Sequence, residues 1–339
     1  MPQSRWIALL LWPLALALVT WTLSQMPLAG IGGILAELHW HQWVLWTLVN
    51  VLAIAVSTER WRRLGRMLGE APGFWQMLLI RQAGQTVSFI TPAPHFGGEP
   101  FQIYWLVKRA GMSIHRAVLS LALDRFYELW INFLVLMLGV SLILLVPQAA
   151  TIVSNSQITD NQVSDWYVIL LLLLTLLVAL SIIAWVLIRQ PALISSRLEK
   201  VSARWFDSPK LAALGAHWHS LGSDIKKVVR TQKAELLNAL LLSLLGWALM
   251  IFEVWLALSF FDIRLDTVAL AQIMVAMRLA LLLPLPGGIG SLEAAVLWSF
   301  QTLSLPMEAA LGLIALTRLR DVLVLVSGAV CLYTLRKKH

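Results

Sequence analysis

Charge and cysteine are what this chain has least of. Only 13% of its 339 residues are charged, and a single cysteine, Cys331, is present. One thiol builds no disulfide framework; in an apolar run it reads as a small packing residue. So little charge beside 59% hydrophobic residues and a mean hydropathy of +0.77 excludes a soluble domain, because no core of this size hides that much apolar surface. Alternating short strands are also lacking, which excludes a β-barrel. HExxH, GxSxG and the Lys-Ser/Thr of a nucleotide loop are absent, so no zinc hydrolase, serine hydrolase or ATP-driven chemistry is legible. The two HWH triplets, His39–His41 and His217–His219, space their imidazoles i, i+2 on different helix faces with no metal-spaced partner. They read as interfacial anchors. No cofactor, metal or nucleic-acid partner is called for, and the reading is of a protein that is not an enzyme.

What is present is unbroken apolar sequence, such as 167–188, which makes the fold class all-α and polytopic. Six stretches reach the ~20 residues that cross a hydrocarbon core, at about 5–25, 40–58, 114–146, 166–188, 234–261 and 307–334. The first, behind Arg5, reads as a retained span rather than a cleaved leader. Several of the seventeen Trp, among them Trp6, Trp43 and Trp166, fall near predicted helix ends, as in aromatic belts. Lys and Arg fill the link 59–66, the turn 108–116, the long segment 189–233 and the C-terminus, whereas 147–165 has none. The positive-inside rule then puts both termini in the cytoplasm and the protein in the cell inner membrane.

Two stretches, 74–110 and 267–305, begin and end on the same side by this charge pattern, and each has a Pro/Gly break in its middle. They read as re-entrant helical hairpins, which survive in a bilayer only where the broken backbone faces protein or a wet cavity. The breaks superpose: Pro92, Pro94 and Gly98 match Pro284, Pro286 and Gly290 at one offset (284 − 92 = 192). With one residue inserted, Arg125 matches Arg318 and Glu128 matches Asp321 (318 − 125 = 193). The expectation is a single membrane domain of two inverted-topology repeats, 5–146 and 166–334, meeting at the midplane as in many secondary transporters. Segment 189–233 departs from the symmetry. Ile194, Leu198, Val201 and Trp205 recur at helical spacing with Arg197, Lys200 and Arg204 opposite. With Lys226, Lys227 and Arg230, that pattern fits a basic amphipathic helix on the anionic inner leaflet; a basic linker obeying the positive-inside rule is the alternative.

Charge inside a span costs at least ~2.5–3.5 kcal/mol on insertion scales and needs a reason. The expected substrate path is Arg81, Asp124, Arg125, Glu128, Arg278, Arg318 and Asp321, with Arg320 beside them. Arg125 and Arg318 each lie about 16 Å from the start of their helix at ~1.5 Å per residue, near mid-depth. These groups either pair and pin the two halves together or line a cavity in which arginines face a phosphate, and the two roles are compatible. The hairpin tips comprise Pro92, Pro94, Gly97, Gly98 and Glu99 in one half, and Pro284, Pro286, Gly287, Gly288, Gly290 and Glu293 in the other. A helix starting there aims free N–H groups at the centre, where anions are favoured. Glu99 and Glu293 read either as caps of those helix starts or as sites of proton or cation coupling.

The segments "GGEPFQIYWLVKRAGMSIHRAVLSLALDRFYEL" and "LPLPGGIGSLEAA…ALTRLRDV" resemble the paired signatures of the lysylphosphatidylglycerol synthase transmembrane-region family. The resemblance runs from about residue 5 to 334 and is most specific at the Pro-x-Pro-Gly-Gly-x-Gly-x-x-Glu element. Gln102 stands where the family often has Arg, and Asp124-Arg125 where Glu-Arg is common. The resemblance implies a flippase-like domain that moves lipid between leaflets, and the chain's end at His339 leads us to expect no soluble synthase domain. The functional expectation is a translocase of a glycerophospholipid or related head group, scrambling downhill or drawing on an ion gradient. Alternatives are a transporter of polyprenyl-phosphate or a polyprenyl-linked glycan, an integral-membrane transferase on such a lipid, and a scaffold without transport. Membrane lipids are the expected partners, with a second copy of the chain a candidate.

Overall fold

Apolar sequence in lipid must satisfy its backbone within each segment, and every regular element among the described residues is helical. The computed structural model describes residues 33, 35–69, 72–90, 97–145, 160–189, 231–283 and 285–337. The expected first span and nearly all of the basic segment, with Arg197, Lys200, Arg204, Lys226, Lys227 and Arg230, lie outside them, as do Pro92, Pro94 and Pro284. The helices are α1 (Trp40–Met67), α2 (Phe74–Ile90), α3 (Glu99–Ala110), α4 (Ile114–Leu145), α5 (Asp160–Arg189), α6 (Lys233–Ser259), α7 (Thr267–Leu281), α8 (Ser291–Thr302) and α9 (Met307–Lys337). A 3-10 turn, Pro286–Gly288, separates α7 from α8.

The chain is a multi-pass membrane protein. α1, α4, α6 and the Trp166–Val186 part of α5 are long and apolar enough to span a bilayer. α9 has the length, 31 residues, but carries Arg318, Arg320 and Asp321 along its middle. α2, α3, α7 and α8 have 12 to 17 residues each, about 18–26 Å at ~1.5 Å per residue, too short to cross ~30 Å alone. Two boundaries differ from expectation by more than a few residues, the first being the start of α5 at Asp160 rather than 166. At the second, α1 runs on to Met67 instead of stopping at 58, so the basic link is helix, with Glu59 paired to Arg62 (2.6 Å) and Arg63 (3.0 Å). Arg60 turns inward and is buried.

The element order recurs. Helices start at 40, 74, 99 and 114, and again at 233, 267, 291 and 307, each 192 or 193 positions on (233 − 40 = 193; 291 − 99 = 192). α1 and α6 pack antiparallel: Arg63 near the end of α1 pairs with Glu235 near the start of α6, while Trp46 clusters with Val254 and Ala257. α2 and α3 are also antiparallel, since Gln76 donates to the Arg109 carbonyl (2.7 Å) and the Gly98 N–H to Ser88 Oγ (2.9 Å). Contacts then cross between the sets, α2 lying on α9 and α7 on α4. α5 seats on α4, where Trp130 Nε1 donates to Ser181 Oγ at 3.0 Å.

The apolar core has two poles. One gathers Trp61 at the end of α1 with Met77, Leu106, Met112, Leu121 and Leu335. The other gathers Trp46 at the start of α1 with Leu258, Phe300, Ala310 and Leu313. The α3–α4 link and the α8–α9 link therefore sit at opposite ends of α1.

At Gly328 on α9 a Cβ would come 1.9 Å from Thr86 Oγ1 and 2.6 Å from the Gln82 carbonyl oxygen of α2. Gly328→Ala is expected to push α2 off α9 and lower the melting temperature of the purified protein by several degrees. Gly246→Ala is the contrast, since its Cβ would meet only Val56 Cγ1 at 4.0 Å. It should hold or raise stability, by up to ~1 kcal/mol from helix propensity. Equal melting temperatures for the two variants would contradict this packing.

Candidate functional site

Ionisable groups inside these helices are organised as two neutral sets. In the first, Asp124 on α4 is fully buried and accepts from Arg60 Nε of α1 (2.8 Å) and Arg81 Nη1 of α2 (3.0 Å). Arg60 also reaches Ser243 Oγ of α6 (3.4 Å), and Arg81 lies 5.9 Å from the Trp61 ring centroid. One residue on, Arg125 has different partners, one of which, Glu128, also lies 3.8 Å from Arg60 Nη2. Arg125 Nη1 donates to Glu128 Oε2 (2.6 Å), and its Nε lies 3.2 Å from Glu99 Oε1, at the start of α3. Three arginines thus face three carboxylates, with Glu128 the most open at 46% of its side chain exposed.

The second set centres on α9. Arg318 Nε donates to Glu293 Oε1 (2.6 Å) and Nη1 to Asp321 Oδ2 (2.9 Å). The same guanidinium donates to the carbonyls of Gly287 (3.0 Å) and Gly288 (3.2 Å). Glu293 Oε2 accepts the Gly290 N–H at 2.8 Å, so this carboxylate caps α8 and holds Arg318 at once. Gly287 turns with φ 60°, and a Cβ there would meet the Phe89 ring of α2 at 2.4 Å. The end of α2 contacts the Pro286–Gly288 turn. Arg320 Nη1 pairs with Glu253 Oε2 of α6 at 3.0 Å. Arg278 on α7 stacks on Trp247 at 5.0 Å, with Glu253, Arg320 and, on α4, Glu128 in its electrostatic surroundings.

Pairing of this kind answers the cost of charge in lipid, yet the sets are not equally satisfied. Arg60 Nη2, Arg81 Nε, Arg125 Nε and both Glu99 oxygens are buried without a hydrogen-bond partner. In the second set no side-chain nitrogen or oxygen among the described residues is left so. Glu99 therefore does not cap α3 as Glu293 caps α8, although both lie at helix starts. Gly97 and Gly98 end the first break, with the Gly98 N–H on Ser88. Gln102 is buried against Gly84 and the Arg81 carbonyl.

Sequence reasoning missed Arg60 and Glu253. Glu253, alone in the apolar run Leu249–Leu258, should have been flagged by the rule that found the others. Arg60 was hidden among surface-like arginines. Both are the 21st residue of their helices. Among the described residues, no three His, Cys, Asp or Glu converge as metal ligands. The arrangement offers instead guanidinium groups held by carboxylates, a geometry that also suits phosphate oxygens.

Comparison with known proteins agrees in kind. The family model for the lysylphosphatidylglycerol synthase TM region matches residues 5–328. "UPF0104 membrane protein MJ1595" of Methanocaldococcus jannaschii is 21% identical over 283 residues, covering 81% of this chain and 79% of its own length. No solved structure is significantly similar.

Asp124→Asn leaves two buried guanidinium groups without their counter-charge, a loss of about 3–5 kcal/mol for a broken buried pair. We expect a marked fall in thermal stability, read by size-exclusion after heating. Glu128→Gln, at the open edge, should cost at most about 1 kcal/mol. The reverse order would show that Asp124 is not the anchor.

Proposed function

The chain belongs to the lysylphosphatidylglycerol synthase transmembrane-region family, and from that premise we propose that it moves a phospholipid head group across the cell inner membrane. The helix pairs α2–α3 and α7–α8 act as re-entrant hairpins entering from opposite sides, within two inverted repeats whose termini face the cytoplasm. Support comes from the recurring helix boundaries, the antiparallel α1–α6 contact and the two links at opposite poles. Pairs of this length cannot cross a bilayer alone, and broken backbone is tolerated there only against protein or water.

The observation that carries the reading is the unsatisfied polarity of the first set, with the end of α2 against the Pro286–Gly288 turn. A phosphate arriving there takes Arg125 from Glu99 and Glu128, while the acyl chains stay in the bilayer. The exchange strips Glu99 and Glu128 of Arg125, and a cationic part of the head group takes its place beside them. Arg318 has a different role from its sequence counterpart. Three acceptors, Glu293 and the Gly287 and Gly288 carbonyls, hold it to the second tip, so it braces the turn while Arg125 handles cargo. Arg81 and Asp124, sealed in the core, position α4.

Purified protein in vesicles should move a head-group-labelled phospholipid between leaflets faster than empty vesicles do. Arg125→Gln should slow the rate by at least ~10-fold, equivalent to ~1.4 kcal/mol, in protein that still elutes as the parent does, and Arg125→Lys, which keeps a counter-charge for Glu99 and Glu128, should recover part of it. No transfer above empty vesicles, or full transfer by Arg125→Gln, would overturn the proposal.

A further inference from the structure

Six arginines lie in the helical core, and five have a carboxylate within 4.0 Å: Arg60, Arg81, Arg125, Arg318 and Arg320. Arg278 is the exception, with no ion pair among the described residues. It stacks on Trp247, whose ring centroid is 5.0 Å away. Stacking on one indole recovers only part of the cost of a guanidinium in this setting. An anion would supply the rest.

Trp247 has a second neighbour. It forms one wall of a groove of about 230 Å³ between α4, α6 and α7, with Leu138, Gly139, Ile251, Met274 and Val275 among the other lining residues. The lining is apolar apart from Thr267 at one end and the Trp247 indole N–H. Gly139 lets α4 approach α7 here, since a Cβ would stand 2.8 Å from Val275 Cγ2. Leu138 is 56% exposed, so the groove opens toward lipid. Along α7 it runs from Thr267 to Val275, and Arg278 is the next turn. From Thr267 to Arg278 is about 16 Å at ~1.5 Å per residue, half of a ~30 Å hydrocarbon core.

We propose that this groove and Arg278 form a binding site for one membrane phospholipid, an acyl chain lying between α4, α6 and α7 and the phosphate resting on the guanidinium. A slot that is apolar along its length and cationic at its inner end matches a single chain with an anionic terminus. Arginine suits phosphate because its planar fork donates two parallel hydrogen bonds. The site rests on the translocation reading only for its place on the route, as the station from which a head group passes to Arg125. Binding itself does not need transport.

The test uses the full chain in vesicles doped with a phospholipid carrying a photoreactive group in one acyl chain, with a photoreactive fatty acid in a parallel arm. After irradiation, adducts are mapped by mass spectrometry. The phospholipid should label α4 and α7 at the groove in preference to the fatty acid. Arg278→Gln should lower that labelling by at least ~5-fold, and Arg278→Lys should restore part of it. Ala271→Trp, which fills the groove without touching Arg278, should abolish it. Labelling indifferent to Arg278→Gln would overturn the site, as would equal labelling by the fatty acid. Groove labelling that survives in a protein with no translocation would retain the site and discard the transport reading. Translocation with no Arg278-dependent labelling would do the opposite.

Discussion

Asp124 has no exposed surface and holds two guanidinium groups from two other helices. That one carboxylate fastens α1 and α2 to α4, and the rest of the interior is arranged around the consequence. With Asp124 taken by Arg60 and Arg81, Arg125, the next residue, pairs instead with Glu128 and Glu99 at the edge of the same cluster. A buried ion pair is weak evidence for net stability, because desolvation offsets most of the attraction. Its strength is in geometry: removing either partner leaves a charge with nowhere to go, so the helices have one register.

The second half solves the same problem with the signs exchanged. At the position in α6 equivalent to Arg60 stands Glu253, and its partner on α9 is Arg320. At the tip, Arg318 is tied to the turn itself through the Gly287 and Gly288 carbonyls. Pro286–Gly288 is thereby a rigid stop against which the end of α2 can rest. One half is thus braced while the other keeps polar atoms without partners. On the proposed reading, the first tip is the one that adapts to cargo and the second the one that stays fixed.

Much of this was legible before any coordinates. Apolar run lengths foretold the long helices, because the bilayer dictates both length and internal hydrogen bonding. The Pro/Gly breaks located the short pairs to within a few residues, since no helix passes through "PLPGG". The ionisable residues of α4 and α9 were found because charge is so rare here. What was not legible was which charge meets which. Arg60 sat in a string of arginines that the positive-inside rule assigns to water, and only the burial of its side chain against Asp124 distinguishes it. Likewise, nothing in the spacing separates Glu99 from Glu293. The difference arises in three dimensions, where Glu293 finds the Gly290 N–H and Arg318 while Glu99 meets Arg125 alone.

The claim on which the functional reading turns is that the two helix pairs enter the membrane from opposite sides. Cys331 is the sole thiol, so a Cys331→Ser background makes side-specific labelling clean. Ser113→Cys reports the α3–α4 link and Ser304→Cys the α8–α9 link. With a membrane-impermeant maleimide, Ser304→Cys should label in intact cells and Ser113→Cys only in inside-out vesicles. Labelling of both links from the same face would contradict the inverted arrangement, and with it the central site.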